Sequence, residues 1–286
     1  MQQKRKRTHN SDRAVSEAIG FIIVFGIIIA GIGMVTLYGY PMLVQQQTSS
    51  DEQIMEKNMI VLQNDLKSIA YKTVPYTETS LKVGSGALTV YNMTYNNATE
   101  SNFSVYSTDF DPNTCIRNSQ GNCAVAGAPL FFPSGDLRYE SIGAQTGLSL
   151  ENGAVVKRMT AESGSSVLAA PRWYYDNQTN TAVIYLIGFV TPDTDIASQS
   201  GVGTVRMVLG LTNYTTYTFP AGSGYTLYVK YLPNSNADYS TAWDNYFTGT
   251  LSLMSTGTPY EYKWPLDPAR TATVVIYQYQ VSIESV

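Results

Sequence analysis

Histidine is nearly absent from this sequence: one, His9, stands near the start of a 286-residue chain. Beyond it there is no imidazole for a Ser-His-Asp triad, a Cys-His pair or a histidine-bearing metal site. No G-x-S-x-G elbow and no phosphate-binding loop occurs either. Asp193 and Asp195 sit two apart in a polar, Pro-containing turn, where carboxylates are usually solvated rather than paired for glycoside chemistry. The expectation is a protein that is not an enzyme and carries no cofactor.

Cysteine is scarce as well. Cys115 and Cys123, in "CIRNSQGNC", are the only two, and their spacing fits no CxxC zinc or redox motif. In an oxidising compartment they would close a small loop worth about 2–3 kcal/mol by chain entropy; otherwise they are two free thiols. The adjoining "DFDPNTCIRNSQ" places Asp109, Asp111 and Asn113 at alternating positions, as oxygen ligands of calcium loops often are. Its sixth position is Thr114 rather than Gly and its twelfth is Gln120 rather than Glu, so a plain Asx turn competes with a calcium site.

Charge is thin, at 14% of residues, and uneven. Residues 1–14 hold five basic side chains (Lys4, Arg5, Lys6, Arg7 and Arg13) against one acid, Asp12. The remainder has 13 basic and 21 acidic side chains, a net charge of −8, which argues against nucleic acid as a partner of the body.

What the sequence has in plenty is tyrosine, 22 in all, beside many Thr, Ser, Asn and Gly. That mixture favours strands and turns and suits a surface outside the cell. Tyr174, Tyr175, Tyr185, Tyr225, Tyr228 and Tyr231 read as half-buried strand residues or, alternatively, as an adhesive or carbohydrate-binding face. Asn-x-Ser/Thr sequons at Asn92, Asn97, Asn102, Asn177 and Asn213 are candidate N-glycosylation sites, all beyond the apolar run.

That run covers 27 uncharged residues, Ala18 to Val44. A secretory signal has an apolar run of about 7–15 residues followed by a small-residue cleavage site, and "YGYPMLVQQQTSS" supplies none. About 20 apolar residues span a bilayer, and the basic cluster ahead of them orients the N-terminus to the cytoplasm and the body outside. Gly26 and Ala30, four apart, put two small residues on one helical face where another helix can approach closely. Pro41 removes a backbone donor and should kink or locally open the helix. Ile54/Met55, Met59, Leu62, Leu66, Ile69 and Ala70 then recur at helical spacing, an amphipathic stripe expected to pack on its own domain.

A basic leader followed by Arg13, Ala14, Val15, Ser16, Glu17, Ala18, Ile19 and Gly20 and an unbroken apolar helix resembles archaeal type IV pilin-like proteins with class III signal peptides. The resemblance implies that a prepilin peptidase, a membrane aspartyl protease, cuts between Ala14 and Val15 and leaves the helix on the mature protein. It further implies partners in the membrane and in copies of the chain or other pilins. Glu17 would stand third in the mature chain, whereas many bacterial pilins pair an acid in fifth place with a neighbour's amino terminus. Alone at mid-membrane an acid costs about 2.5–3.5 kcal/mol, so Glu17 either gains such a partner or stays among headgroups.

From residue 81 the pattern turns to strands. "LKVGSGALTVYNMTY" reads as two strands about a Gly-Ser-Gly turn, and "GLSLENGAVVKRM" as a hairpin at Asn152-Gly153. Further strands are expected at 166–175, 181–190, 202–219, 224–232, 258–264 and 271–284, a short helix at 236–247, and a loop-rich stretch at 96–146. The expected fold class is α+β: a long hydrophobic then amphipathic helix before a mostly antiparallel, β-sandwich-like ectodomain. The expected division is leader 1–14, membrane or filament-core helix 15–44, amphipathic helix 45–73 and β-rich domain 74–286.

Overall fold

A computed structural model describes residues 11–72, 74–93, 101–107, 130–141, 146–159, 164–192 and 198–286. In chain order these form helix α1 (Ser11–Met34), a π turn (Val35–Gly39) and helix α2 (Tyr40–Lys72). Strands β1 (Tyr76–Tyr91), β2 (Asn102–Ser107), β3 (Leu130–Pro133), β4 (Asp136–Ser141), β5 (Thr146–Glu151) and β6 (Ala154–Met159) follow. Next come β7 (Gly164–Ala169), β8 (Tyr174–Asp176), β9 (Thr181–Val190), β10 (Ser198–Phe219) and β11 (Leu227–Leu232). Helix α3 (Ser240–Asn245), a second π turn (Tyr246–Thr250), and strands β12 (Met254–Ser255), β13 (Glu261–Lys263) and β14 (Ala272–Ser285) complete the order. The long N-terminal helix and the largely antiparallel sheet domain are the α+β class that the sequence pattern indicates.

Contacts divide the chain into two compact units, one ending at Ser49 and one beginning at Ser50. The amphipathic half of α2 therefore belongs with the β-rich unit. In the first unit no residue from Glu17 to Ser49 is buried.

In the second unit a nine-stranded sheet runs β7-β6-β5-β4-β1-β10-β14-β9-β8, and a five-stranded sheet runs β12-β13-β11-β2-β3. Of the pairs described, only β14 with β9 is parallel. One face of the large sheet carries α2: Met55, Met59, Leu62, Leu66 and Ile69 bury completely against residues such as Leu88, Leu150, Ile187 and Phe189. The other face meets the small sheet and α3, where Ile184, Leu186, Val274 and Ile276 join Phe103, Val229, Trp243 and Phe247. Strand β9 is covered on both faces, hence its nearly unbroken apolar sequence AVIYLIGFV.

The helical stripe falls where its spacing places it, except that Ile54 stays 42% exposed while its neighbour Met55 is fully buried. Polar contacts fix how α2 lies on the sheet. The Gln63 side-chain amide donates to the carbonyls of Gly153 (2.7 Å), Ala169 (3.1 Å) and Ala170 (2.9 Å). The Ser85 N–H donates to Asp51 at 3.1 Å. A Cβ added to Gly84 would come within 2.5 Å of the Asp51 side chain, so only glycine admits the helix this close.

Several expectations are corrected. The Gly-Ser-Gly segment is no turn: β1 continues through it as one 16-residue strand with a register shift between Val83 and Leu88. Stretch 96–146 is not merely loop, because β2, β3 and β4 lie within it. The single strand expected at 166–175 is two, β7 and β8, parted around Pro171, whose ring cannot supply a ladder donor. The Asn152-Gly153 hairpin is as expected, with φ of 47° and 77° at the two turn residues.

Replacing Leu62 with Ala should cost about 2–5 kcal/mol of stability by denaturant unfolding of the full chain in detergent. Ile54→Ala should stay within about 0.5 kcal/mol. Equal losses would place the buried stripe in the wrong phase.

Candidate functional site

The apolar helix is the first candidate. Phe21 to Val44 presents nearly every large side chain to its surroundings; Phe21 is 72% exposed and Leu43 66%. The span is long and apolar enough to cross a membrane. Its polar side chains suit that setting. Thr36 donates its hydroxyl to the Ile32 carbonyl at 2.9 Å, which pairs that donor within the helix, and Tyr38 and Tyr40 fall late in the run, where phenols favour an interface.

Pro41 acts by opening rather than breaking the helix. Its ring crowds the carbonyl four residues back, and directly before it the turn widens to a π turn, with Tyr40 N–H donating to the Val35 carbonyl. Gly26 has nothing within 4 Å of where its Cβ would be. Ile19 and Glu17 are exposed, as are Gly20 and Ala30. Arg13, Ala14, Val15 and Ser16 lie in α1, and their side chains fall outside the described residues.

The remaining candidates scatter. Cys115 and Cys123, the calcium candidates Asp109, Asp111 and Asn113, the pair Asp193 and Asp195, and Asn97 all lie outside the described residues. Asn177 and Asn213 are exposed. Asn92 and Asn102 are each 8% exposed, and the Asn92 amide donates to Thr191 at 3.1 Å, so a glycan at Asn92 would have to displace a buried side chain. The six tyrosines divide similarly: Tyr225, Tyr231 and Tyr185 are buried, Tyr175 and Tyr228 half-buried, and Tyr174 exposed.

Between the two sheets lies a charged cluster that sequence reasoning does not reveal. Arg138 donates to both carboxylate oxygens of Asp136, at 2.9 and 3.1 Å, with both residues almost wholly buried. Ser149 adds a hydrogen bond to Asp136 at 2.6 Å, and the Arg138 guanidinium lies 4.1 Å from the Tyr91 ring centroid. Burial works against the Arg138 charge, and Asp136 outweighs it. Alongside, Glu151 is fully buried near Ser101 and Trp243, and among the described residues the hydroxyls of Tyr231 and Tyr239 find no hydrogen-bond partner. Burial pushes the Glu151 carboxyl up to about 8, with Ser101 acting in the opposite direction and the Asp136 charge adding to the rise. "DLRYES" and "SLENG" look like solvated strand ends in sequence, and nothing local announces that a second sheet covers them.

The sequence profile of a family described as a family of unknown function (DUF7289) matches residues 13–282. The chain belongs to this family. A relative from Archaeoglobus fulgidus, described as an uncharacterized protein, is 24% identical over 264 residues, covering 85% of this chain and 86% of the relative. No solved structure matches. The DUF7289 match begins at Arg13, so the apolar helix and the sheet domain are parts of one shared unit.

Glu151 yields a pH test. The folded chain holds its proton up to about 8 whereas an unfolded glutamate releases it near its ordinary value, so its contribution is complete below that value and lost as pH rises toward 8. Glu151→Gln should therefore lose less stability than the parent between pH 5 and 8, measured by denaturant unfolding. Parallel pH profiles would show that Glu151 does not titrate in this window.

Proposed function

We propose that the chain is an archaeal type IV pilin-like cell-surface subunit, made with a class III signal peptide and held in the cell membrane by its N-terminal helix. One observation carries the reading. An apolar helix exposed along its whole run follows a basic leader through Arg13-Ala14-Val15-Ser16-Glu17-Ala18-Ile19-Gly20, with no small-residue secretory cleavage site after it.

An exposed apolar run of this length needs either lipid or other helices around it. On this reading it has both in succession: membrane before assembly, then the helices of copies or other pilins, approached along the Gly26 and Ala30 face. The β-rich domain lies outside the cell and makes surface contacts or adhesion, and it has no catalytic role. A family profile that runs from Arg13 through the sheet domain supports a helix shared within the family, and the relative in Archaeoglobus fulgidus is compatible with an archaeal source.

N-terminal sequencing of the protein from envelope and sheared-filament fractions should find Val15 first, the leader of 14 residues having been removed. Met1 on the mature protein would sink the reading. Recovery of the processed protein from membranes and never from filaments would favour a tethered receptor that does not polymerise.

A further inference from the structure

Three tyrosines stand in one row across three neighbouring strands of the large sheet, toward its β8 edge. Tyr214 of β10 is paired with Tyr277 of β14, and Tyr277 with Tyr185 of β9. The Tyr277 and Tyr185 rings stack at 4.8 Å and 8°, and Tyr214 leans on Tyr277 at 5.9 Å and 31°. Tyr279, two residues on, stacks with both Tyr185 and Tyr277 at 11°. The row spans two strand spacings, about 10 Å.

At its β9 end the row runs into a basic groove. Tyr71, from the last turn of α2, meets Tyr185 edge-on at 5.0 Å. The Arg172 guanidinium lies 4.7 Å from the Tyr71 ring centroid and 5.8 Å from that of Tyr185. Tyr71 and Arg172 line an open groove of about 580 Å³ with Lys67, Lys72, Asn64 and Ser68. Among the described residues these three cations gather without an ion-paired acid, in a body whose net charge is −8. Burial, and then the nearby Arg172, holds the Lys67 ammonium below its ordinary value, so an arriving anion relieves crowding already present.

We propose that the tyrosine row and the Lys67–Lys72–Arg172 groove form one binding surface for an acidic polysaccharide, its carboxylates in the groove and its hydroxyls along the row. Contact with the Tyr71 ring face holds the Arg172 guanidinium in place, and its N–H groups can donate to a carboxylate. Lys67 already gives one hydrogen to Gln63 at 3.0 Å and has two more. A single-stranded nucleic acid fits less well, because bases need open aromatic faces. Here the faces of Tyr185, Tyr277 and Tyr279 lie against each other, and only Tyr214, 68% exposed, has a largely free ring.

The proposal rests on the surface-contact reading for the partner's place outside the cell, but its test needs neither processing nor filaments. Full-length chain in detergent micelles is titrated with oligogalacturonate, its methyl-esterified form, oligothymidylate and inorganic phosphate. Saturable binding of oligogalacturonate alone is expected, weakened roughly tenfold by the pair Lys67→Gln and Arg172→Gln and less by Tyr277→Phe. Lys72→Gln, at an exposed side chain, should weaken it without altering the unfolding midpoint. No binding, equal binding of the ester or of phosphate, tighter binding of oligothymidylate, or indifference to the charge variants would each overturn the proposal. N-terminal sequencing separately decides the pilin-like reading, so failure of one is not failure of the other.

Discussion

The contact on which the second unit depends is the seam between the α2 stripe and the large sheet. Five fully buried apolar side chains, Met55 to Ile69, supply its energy without direction. Direction comes from polar contacts at particular places: Gln63 reaching three carbonyls, Asp51 receiving the Ser85 N–H, and Lys157 donating to Glu56 at 2.6 Å. Gly84 completes the fit by having no side chain where Asp51 comes down. A helix held by burial alone could slide by a turn; one that also answers these groups cannot do so without leaving a buried amide or carboxylate unpaired.

The opposite face of the same sheet is joined to the small sheet by a different kind of core. Its rings cluster around Trp243, which meets Phe103 at 4.7 Å and Phe247 at 5.5 Å. Within it sit the Asp136–Arg138 pair and the buried Glu151. A buried ion pair adds little net stability over an apolar replacement, but losing one partner costs about 3–5 kcal/mol. The cluster thus penalises wrong pairings of the two sheets more than it strengthens the right one.

Legibility in the sequence follows the range of the interaction. The α2 stripe and the Asn152-Gly153 hairpin are local, one written in spacing and the other in the φ values its two residues tolerate, and both are found where expected. Strand β14 falls within the strand expected at 271–284, but composition does not tell that over its first half Ala272, Val274 and Ile276 are the deepest residues, because the small sheet covers them there. Gly-Ser-Gly reads as a turn by composition and proves to be a bulge, since the close approach of Asp51 is a tertiary fact. The buried charges, the burial of Asn92 and Asn102, and the tyrosine row depend on which strands become neighbours, and strands far apart in sequence leave no mark on one another.

Strand order also governs how such a chain comes together. β9 and β10 are consecutive in sequence, yet β14 lies between them in the large sheet. β10 can pair with β1 and β9 with β8, but the facing side of each waits for a segment more than fifty residues beyond β10. Until then β9, apolar on both faces, has one long side unpaired. Assembly of the sheet is therefore the insertion of a wedge rather than the lengthening of a ladder, and a chain stalled before that step carries its most adhesive edge uncovered.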